Sequence, residues 1–174
     1  MIDTDVIKDS FQAILEKSFL WKGKKLDVYI VANPLAGGFT QKKRIRHNKI
    51  VLSEYVKKCK RQENQALDVQ VKMYETKHAS HALNITENIL ETILDEQQRM
   101  SLENWTEKES LFIVAGGDGT SLEVQTAFVK IALKSKKAKE IIHEKITVFR
   151  LPFGTGNDGT DGRTFEESLY ILNT

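Results

Sequence analysis

Residues 111–120 read LFIVAGGDGT: an unbroken apolar run that ends in three glycines, an aspartate and a threonine. Leu111–Ala115 is apolar at every position, which suits a strand buried on both faces at the centre of a parallel sheet. A plain turn needs one or two residues of high backbone freedom. The excess means a very tight turn, or a large charged group pressing on the main chain. Glycine lacks a Cβ, so its amide can reach a ligand directly and its φ can turn positive. Helical spacing resumes at Thr120 and runs to Leu133, with Val124, Phe128 and Ile131 on the inward face. A helix beginning there brings its positive end to the glycines.

Working outward, strands and helices alternate. Residues 4–20 have helical spacing through Val6, Ile7, Phe11, Ile14, Leu15 and Phe19, with Thr4 as N-cap. LDVYIVANP reads as a central strand ending at Asn33-Pro34, LAGGFT as a glycine loop, and residues 41–62 as a helix burying Leu52, Tyr55, Val56 and Cys59. LDVQVKM alternates Leu67, Val69, Val71 and Met73 with polar residues, a strand with one buried face. Residues 78–94 form a helix whose stripe includes Ala82, Leu83, Thr86, Ile89, Leu90, Ile93 and Leu94. ITVFRLP is a fourth strand; FGTGNDGTDGRTF is a polar glycine-rich segment, and EESLYIL opens a last helix. This order predicts an α/β fold, three layers α/β/α around a mainly parallel sheet. The expected organisation is a helical extension over residues 1–25 and an α/β domain over 26–174. The basic stretch KSKKAKE at 134–140 reads as a solvated helix end, with a membrane surface as the sharper alternative.

Ligands of open parallel sheets bind beyond the carboxyl ends of the strands. Three predicted strands end in unusual loops, NPLAGG, AGGDGT and PFGTGND, and the connectivity sends all three to one edge. Successive amides there make an anion-binding concavity, and Thr120, Ser121 and Thr155 add hydroxyls. Together they suit a polyphosphate, with Asp118 holding the turn or orienting a metal-bound water. No G-x-x-x-x-G-K-[ST], no G-x-G-x-x-G after the first strand and no G-x-S-x-G occurs.

Composition sets the outer limits. The chain has 174 residues, 40% hydrophobic and 29% charged, with a formal net charge of +2. That suits one ordinary globular domain and gives no reason to expect nucleic acid as a partner. No apolar run reaches the roughly 20 residues that span a bilayer, and the start MIDTDVIKDSF lacks the pattern of a signal peptide. One cysteine, Cys59, excludes an internal disulfide, and a cytoplasmic setting is expected.

The three loops, in this order, resemble the diacylglycerol kinase catalytic domain family of lipid kinases. NAD kinases share the GGDGT loop and general fold; the third motif favours the lipid-kinase branch. The resemblance covers about residues 26–172. It implies an ATP-dependent kinase that moves the γ-phosphoryl of ATP to a lipid hydroxyl, diacylglycerol by default, with Mg required. Its site residues map onto Asn33, Pro34, Leu35, Ala36 and Gly37 in the first loop, Thr76 after the second strand, Gly116, Gly117, Asp118, Gly119, Thr120, Ser121 and Leu122 in the central loop, and Thr155 in the last. Asp158 matches the acidic partner of that threonine, and Glu123 a glutamate typical of the following helix. No catalytic residue and no metal ligand is assigned. The partners implied are nucleotide and a lipid acceptor at a membrane surface, with peripheral membrane association and a homodimer left open.

The chain departs from the family pattern at four places. Ala36 stands for a usual serine, Leu122 for asparagine, Thr126-Ala127 for Asn-Gly, and Gly159-Thr160-Asp161 for an apolar residue, alanine and arginine. These changes touch lipid-side and fine nucleotide contacts more than the phosphate cradle. The family's second, mostly β domain supplies the general base and part of the magnesium site, and is expected to be absent from this chain. Two alternatives are carried: an NAD kinase-like phosphotransferase, and a non-catalytic nucleotide-binding or regulatory domain. His78 and His81 lack a third ligand and read as surface histidines; His47 and His143 belong to no cluster. Cys59 reads as core filler, and Trp21 and Trp105 as covers over the core edge.

Overall fold

Lys25–Ala32 (β1) and Lys108–Gly116 (β3) are apolar on both faces over Val28–Ala32 and Leu111–Ala115, where both faces are covered, and they form the centre of a four-stranded sheet. The computed structural model describes residues 4–99, 107–155 and 159–174. Asp68–Glu75 (β2) flanks β1 and Ile146–Pro152 (β4) flanks β3, giving the order β2-β1-β3-β4 with every pair parallel. The expected three-layer parallel α/β architecture is what the chain adopts. β2 alternates because it is an edge strand: Val69 and Val71 are buried while Asp68, Gln70 and Lys72 are exposed.

Side chains of alternate parity build two cores. Val28, Ile30, Leu111 and Ile113 point to one face, where they meet Thr4–Leu15 (α1), Lys42–Cys59 (α3) and the last helix, Phe165–Asn173 (α7). Ile7, Phe11, Ile14 and Leu15 of α1 lie in that same core. Tyr29, Val31, Phe112 and Val114 point to the other face, against His81–Arg99 (α4), Asp118–Ala132 (α5) and Lys136–Lys145 (α6). Tyr29, buried and bonded to Asp27, has its phenol pushed up in pKa, first by burial and then by that carboxylate. Among the described residues no helix is long and apolar enough to cross a membrane.

Several local readings are corrected. The first helix stops at Leu15; a 3-10 turn follows over Phe19–Trp21, and Phe19 is 64% exposed rather than part of the stripe. Leu67 precedes β2 and is 61% exposed. Gly37–Thr40, read as loop, forms a one-turn helix (α2) anchored by buried Phe39. The stretch 134–140, read as a solvated helix end, instead opens a separate helix, Lys136–Lys145: the Ser135 side chain accepts the Ala138 N–H, and Ala138 and Ile141 are buried. Trp21 is buried as expected, whereas Trp105 lies outside the described residues.

Candidate functional site

The parallel register brings the carboxyl ends of all four strands to one level: Ala32 sits beside Glu75 and Ala115, and Gly116 beside Pro152. The chain leaves β1 toward one face and β3 toward the other, so their tips bound the crevice where open α/β sheets take ligands. The loops that leave these tips are joined to one another. The Asn33 N–H donates to the Ala115 carbonyl at 2.9 Å, and the Asn33 amide Nδ2 reaches the Thr120 hydroxyl at 3.4 Å. The Gly38 N–H donates to the Phe153 carbonyl at 2.9 Å, and Arg44 donates to the carbonyls of Pro152 and Gly154. A Cβ at Gly117 would lie 3.5 Å from the Gly154 Cα. First, central and last loops therefore make one continuous floor.

Glycine serves closeness here, not unusual torsion. None of Gly37, Gly38, Gly116, Gly117 and Gly119 has positive φ; that conformation occurs at Gly23 and Ser80 instead. A Cβ on Gly38 would come within 2.6 Å of the Phe153 ring, and one on Gly116 within 2.6 Å of Thr120. At Gly119 it would meet nothing within 4 Å.

A cleft of about 250 Å³ opens on this floor. Asn33, Leu35, Thr76, Gly119 and Thr120, all expected at the site, line it together with Glu123. α5 begins at Asp118, two residues before the expected start. Its N-cap is Gly117, so no side chain caps its first turn and the leading amides have no intrahelical partner. Asp118 and Gly119 are exposed at that turn. Thr120 is buried, and because its oxygen accepts from Asn33 its own proton is left to donate. The Asn33 side-chain oxygen Oδ1 accepts the Leu35 N–H at 3.0 Å, which fixes the bend of the first loop.

The other expected residues take supporting or peripheral places. Gly37 packs against Arg44 and Gln41, Ala36 caps α2, and Gly116 lies in β3 under Thr120. Pro34 and Ser121 are half-buried beside the cleft lining. Thr155 is exposed next to Gly154, and Leu122, 64% exposed, points off the outer side of α5. Asn157 and Asp158 lie outside the described residues.

The opposite wall is the part that sequence reasoning missed. Lys77, His78, Ala79 and Ala82 line the cleft. His78 precedes α4 rather than belonging to it, and its ring stacks on His81 at 4.7 Å and 17°. His81 Nδ1 accepts the Lys77 N–H at 2.9 Å. Glu123 holds this wall in place: its two carboxylate oxygens accept the N–H groups of Ser80 at 2.8 Å and Ala82 at 3.1 Å. A carboxylate at the start of α4 is favoured by the helix dipole and satisfies donors that have no partner in the helix. Ser80 turns the chain at φ 64°. The only advance signal was Glu123 itself, and its partners lie about 40 residues away.

These features define an open, doubly wound α/β domain with a cleft at the switch point of its parallel sheet. The chain belongs to the diacylglycerol kinase catalytic domain family, which matches residues 27–163, and carries a phosphotransferase domain of the kinase type. No curated protein matches the chain at a significant level.

Proposed function

We propose that this chain binds ATP and presents its γ-phosphoryl to a lipid hydroxyl of the diacylglycerol type. The observation that carries the reading is the start of α5, whose first-turn amides have no side-chain cap and whose Gly119 and Thr120 face the cleft. A helix N-terminus with free amides is an anion site. Here it lies beside a wall formed by Thr76, Lys77 and His78. The triphosphate would lie over Gly117–Thr120 and the nucleoside along the Thr76–Ala82 wall.

Phosphoryl transfer asks a protein for position and charge stabilisation more than for covalent chemistry. In the step, the bond from the γ-phosphorus to the bridging oxygen breaks. A bond to the acceptor oxygen forms, and the hydroxyl proton passes to a base. The Gly119 amide and the Thr120 hydroxyl would donate to phosphate oxygens and hold that phosphorus in line. No group of three or more metal-ligating side chains occurs among the described residues, and Glu123 is engaged by α4. Magnesium usually takes one or two carboxylates plus phosphates and water, so this donor set fits an ion carried in by the nucleotide and met by exposed Asp118. Bound there, it would neutralise charge on the phosphates.

The test is calorimetric titration with ATP, ADP and NAD, each with and without magnesium. ATP and ADP should bind and NAD should not. A folded protein that ignores ATP at millimolar concentration would sink the reading, and preferential binding of NAD would favour the NAD-kinase branch.

A further inference from the structure

The charge of this protein is unevenly placed. Between Lys42 and Arg61 the sequence has nine lysines and arginines against one glutamate, Glu54, although the whole chain has 26 against 24. The remainder is therefore net acidic. This segment is α3 and the residues just after it. Lys42, Lys43, Arg46, Lys49, Lys57 and Lys60 are all exposed, and among the described residues none of them makes an ion pair.

The other basic stretch, around α6, is different. Lys134 pairs with Glu91 at 2.5 Å and Lys136 with Glu140 at 3.6 Å. Helix stability does not explain the charges of α3 either. Its first turn contains no acid and begins with Lys42 and Lys43, and its N-cap Gln41 makes no side-chain cap bond. Cations at that end oppose the helix dipole.

Apolar surface accompanies the charge. A groove of about 390 Å³ between α1 and α3 has Val6, Leu52 and Val56 on its walls and Lys49, Lys57 and Lys60 around it. Val6 is 52% exposed and, on the basic face, Ile50 is 49% exposed. Lysines beside open aliphatic surface are the composition of a face that lies in a lipid interface. The stems bury among acyl chains while the ammonium groups reach anionic headgroups.

We propose that the exposed face of α3, with the α1–α3 groove, docks this protein onto an anionic lipid bilayer. The inference deepens the lipid-kinase reading and rests on it. The helix also starts at the site, where Arg44 binds the last loop through Pro152 and Gly154. α3 covers one face of the sheet, and α4, which begins at the cleft wall, covers the other. A bilayer on α3 would thus approach the domain from the side opposite the Thr76–Ala82 wall.

The experiment is co-sedimentation of the whole chain with vesicles of phosphatidylcholine alone or mixed with phosphatidylserine, without diacylglycerol or nucleotide. Binding should need phosphatidylserine and fall with salt. In Lys49→Glu/Lys57→Glu it should drop by about tenfold or more, from the roughly fivefold worth of each basic residue near such a surface. Lys136→Glu/Lys137→Glu should bind like the parent. Circular dichroism confirms folding, and ATP titration of the same variants keeps the outcome separate from the nucleotide reading. Equal binding to neutral vesicles, no binding to either, or retention in the α3 variant overturns the proposal. Preference for a single-stranded RNA over the vesicles assigns the face to nucleic acid and overturns it as well.

Discussion

Gly116 and Gly119 belong to the same GGDGT stretch, one at the end of β3 and the other in the first turn of α5, and do opposite things. Gly116 is buried, and its missing side chain is the space that Thr120 occupies; Gly38 stands in the same relation to Phe153. Gly119 is exposed at the first turn of α5 with nothing near the place a Cβ would take. One kind of glycine lets the protein close on itself. The other leaves room for something that is not the protein. A glycine-rich motif is thus two overlaid messages, one about packing and one about a ligand, and only the second concerns chemistry.

Substitution separates the two. Gly116→Ala or Gly38→Ala forces a contact that real side chains do not make, and overpacking of this kind costs about 3 kcal/mol. In a domain of this size that lowers the Tm by roughly 10 °C, to be read by calorimetry; in Gly38→Ala the ATP affinity falls only as the folded fraction falls, whereas Gly116→Ala also displaces the Thr120 hydroxyl. Gly119→Val should leave the Tm within about 2 °C and yet weaken ATP binding by about tenfold or more, the loss expected when a charge-assisted bond to the phosphate is blocked. If both variants behaved alike, the distinction drawn between the two glycines would fail.

Glu123→Gln is an intermediate case. The amide keeps a single acceptor oxygen for two N–H groups, so one donor at the start of α4 loses its partner, at about 1 kcal/mol. Hydrogen exchange at Ser80 and Ala82 should quicken, and ATP should bind a few-fold more weakly, while protection in β1 and β3 is unchanged. The smallest effect lies far from the loops. The Tyr29 phenol has a raised pKa in the folded chain, so the folded state holds its proton more tightly than the unfolded state. That stability is complete below the unfolded phenol value of about 10 and is lost as pH rises above it. Tyr29→Phe should flatten that part of the alkaline unfolding curve and leave ATP binding at neutral pH alone.

How far the sequence could be read follows from which forces act locally. Val28–Val31 and Leu111–Val114 reveal a doubly covered strand because burial on both faces removes every polar choice. Asp68–Lys72 reveals an edge strand because one face is left to water. The short α2 was hidden because Gly37 and Gly38 are poor helix formers, and what holds that turn is the burial of Phe39 against Phe153, at a ring distance of 4.7 Å. α6 was hidden because lysines surround the few apolar residues that bury it. At the site, residues within a loop were legible and contacts between loops were not. Thr76, Asn33 and Thr120 could each be picked out in advance, whereas the segment of Lys77 and His78 is tied to α5 by long-range bonds from Ser80 and Ala82 to Glu123.

Arg44 has a mechanical consequence. Its guanidinium reaches across from α3 to the rim carbonyls and takes two of them at once. A flat, two-pronged grip resists rotation as well as separation. A tilt of α3 would therefore be geared to the rim through one rivet, and Arg44→Lys, with a single swivelling prong, would let helix and rim move independently.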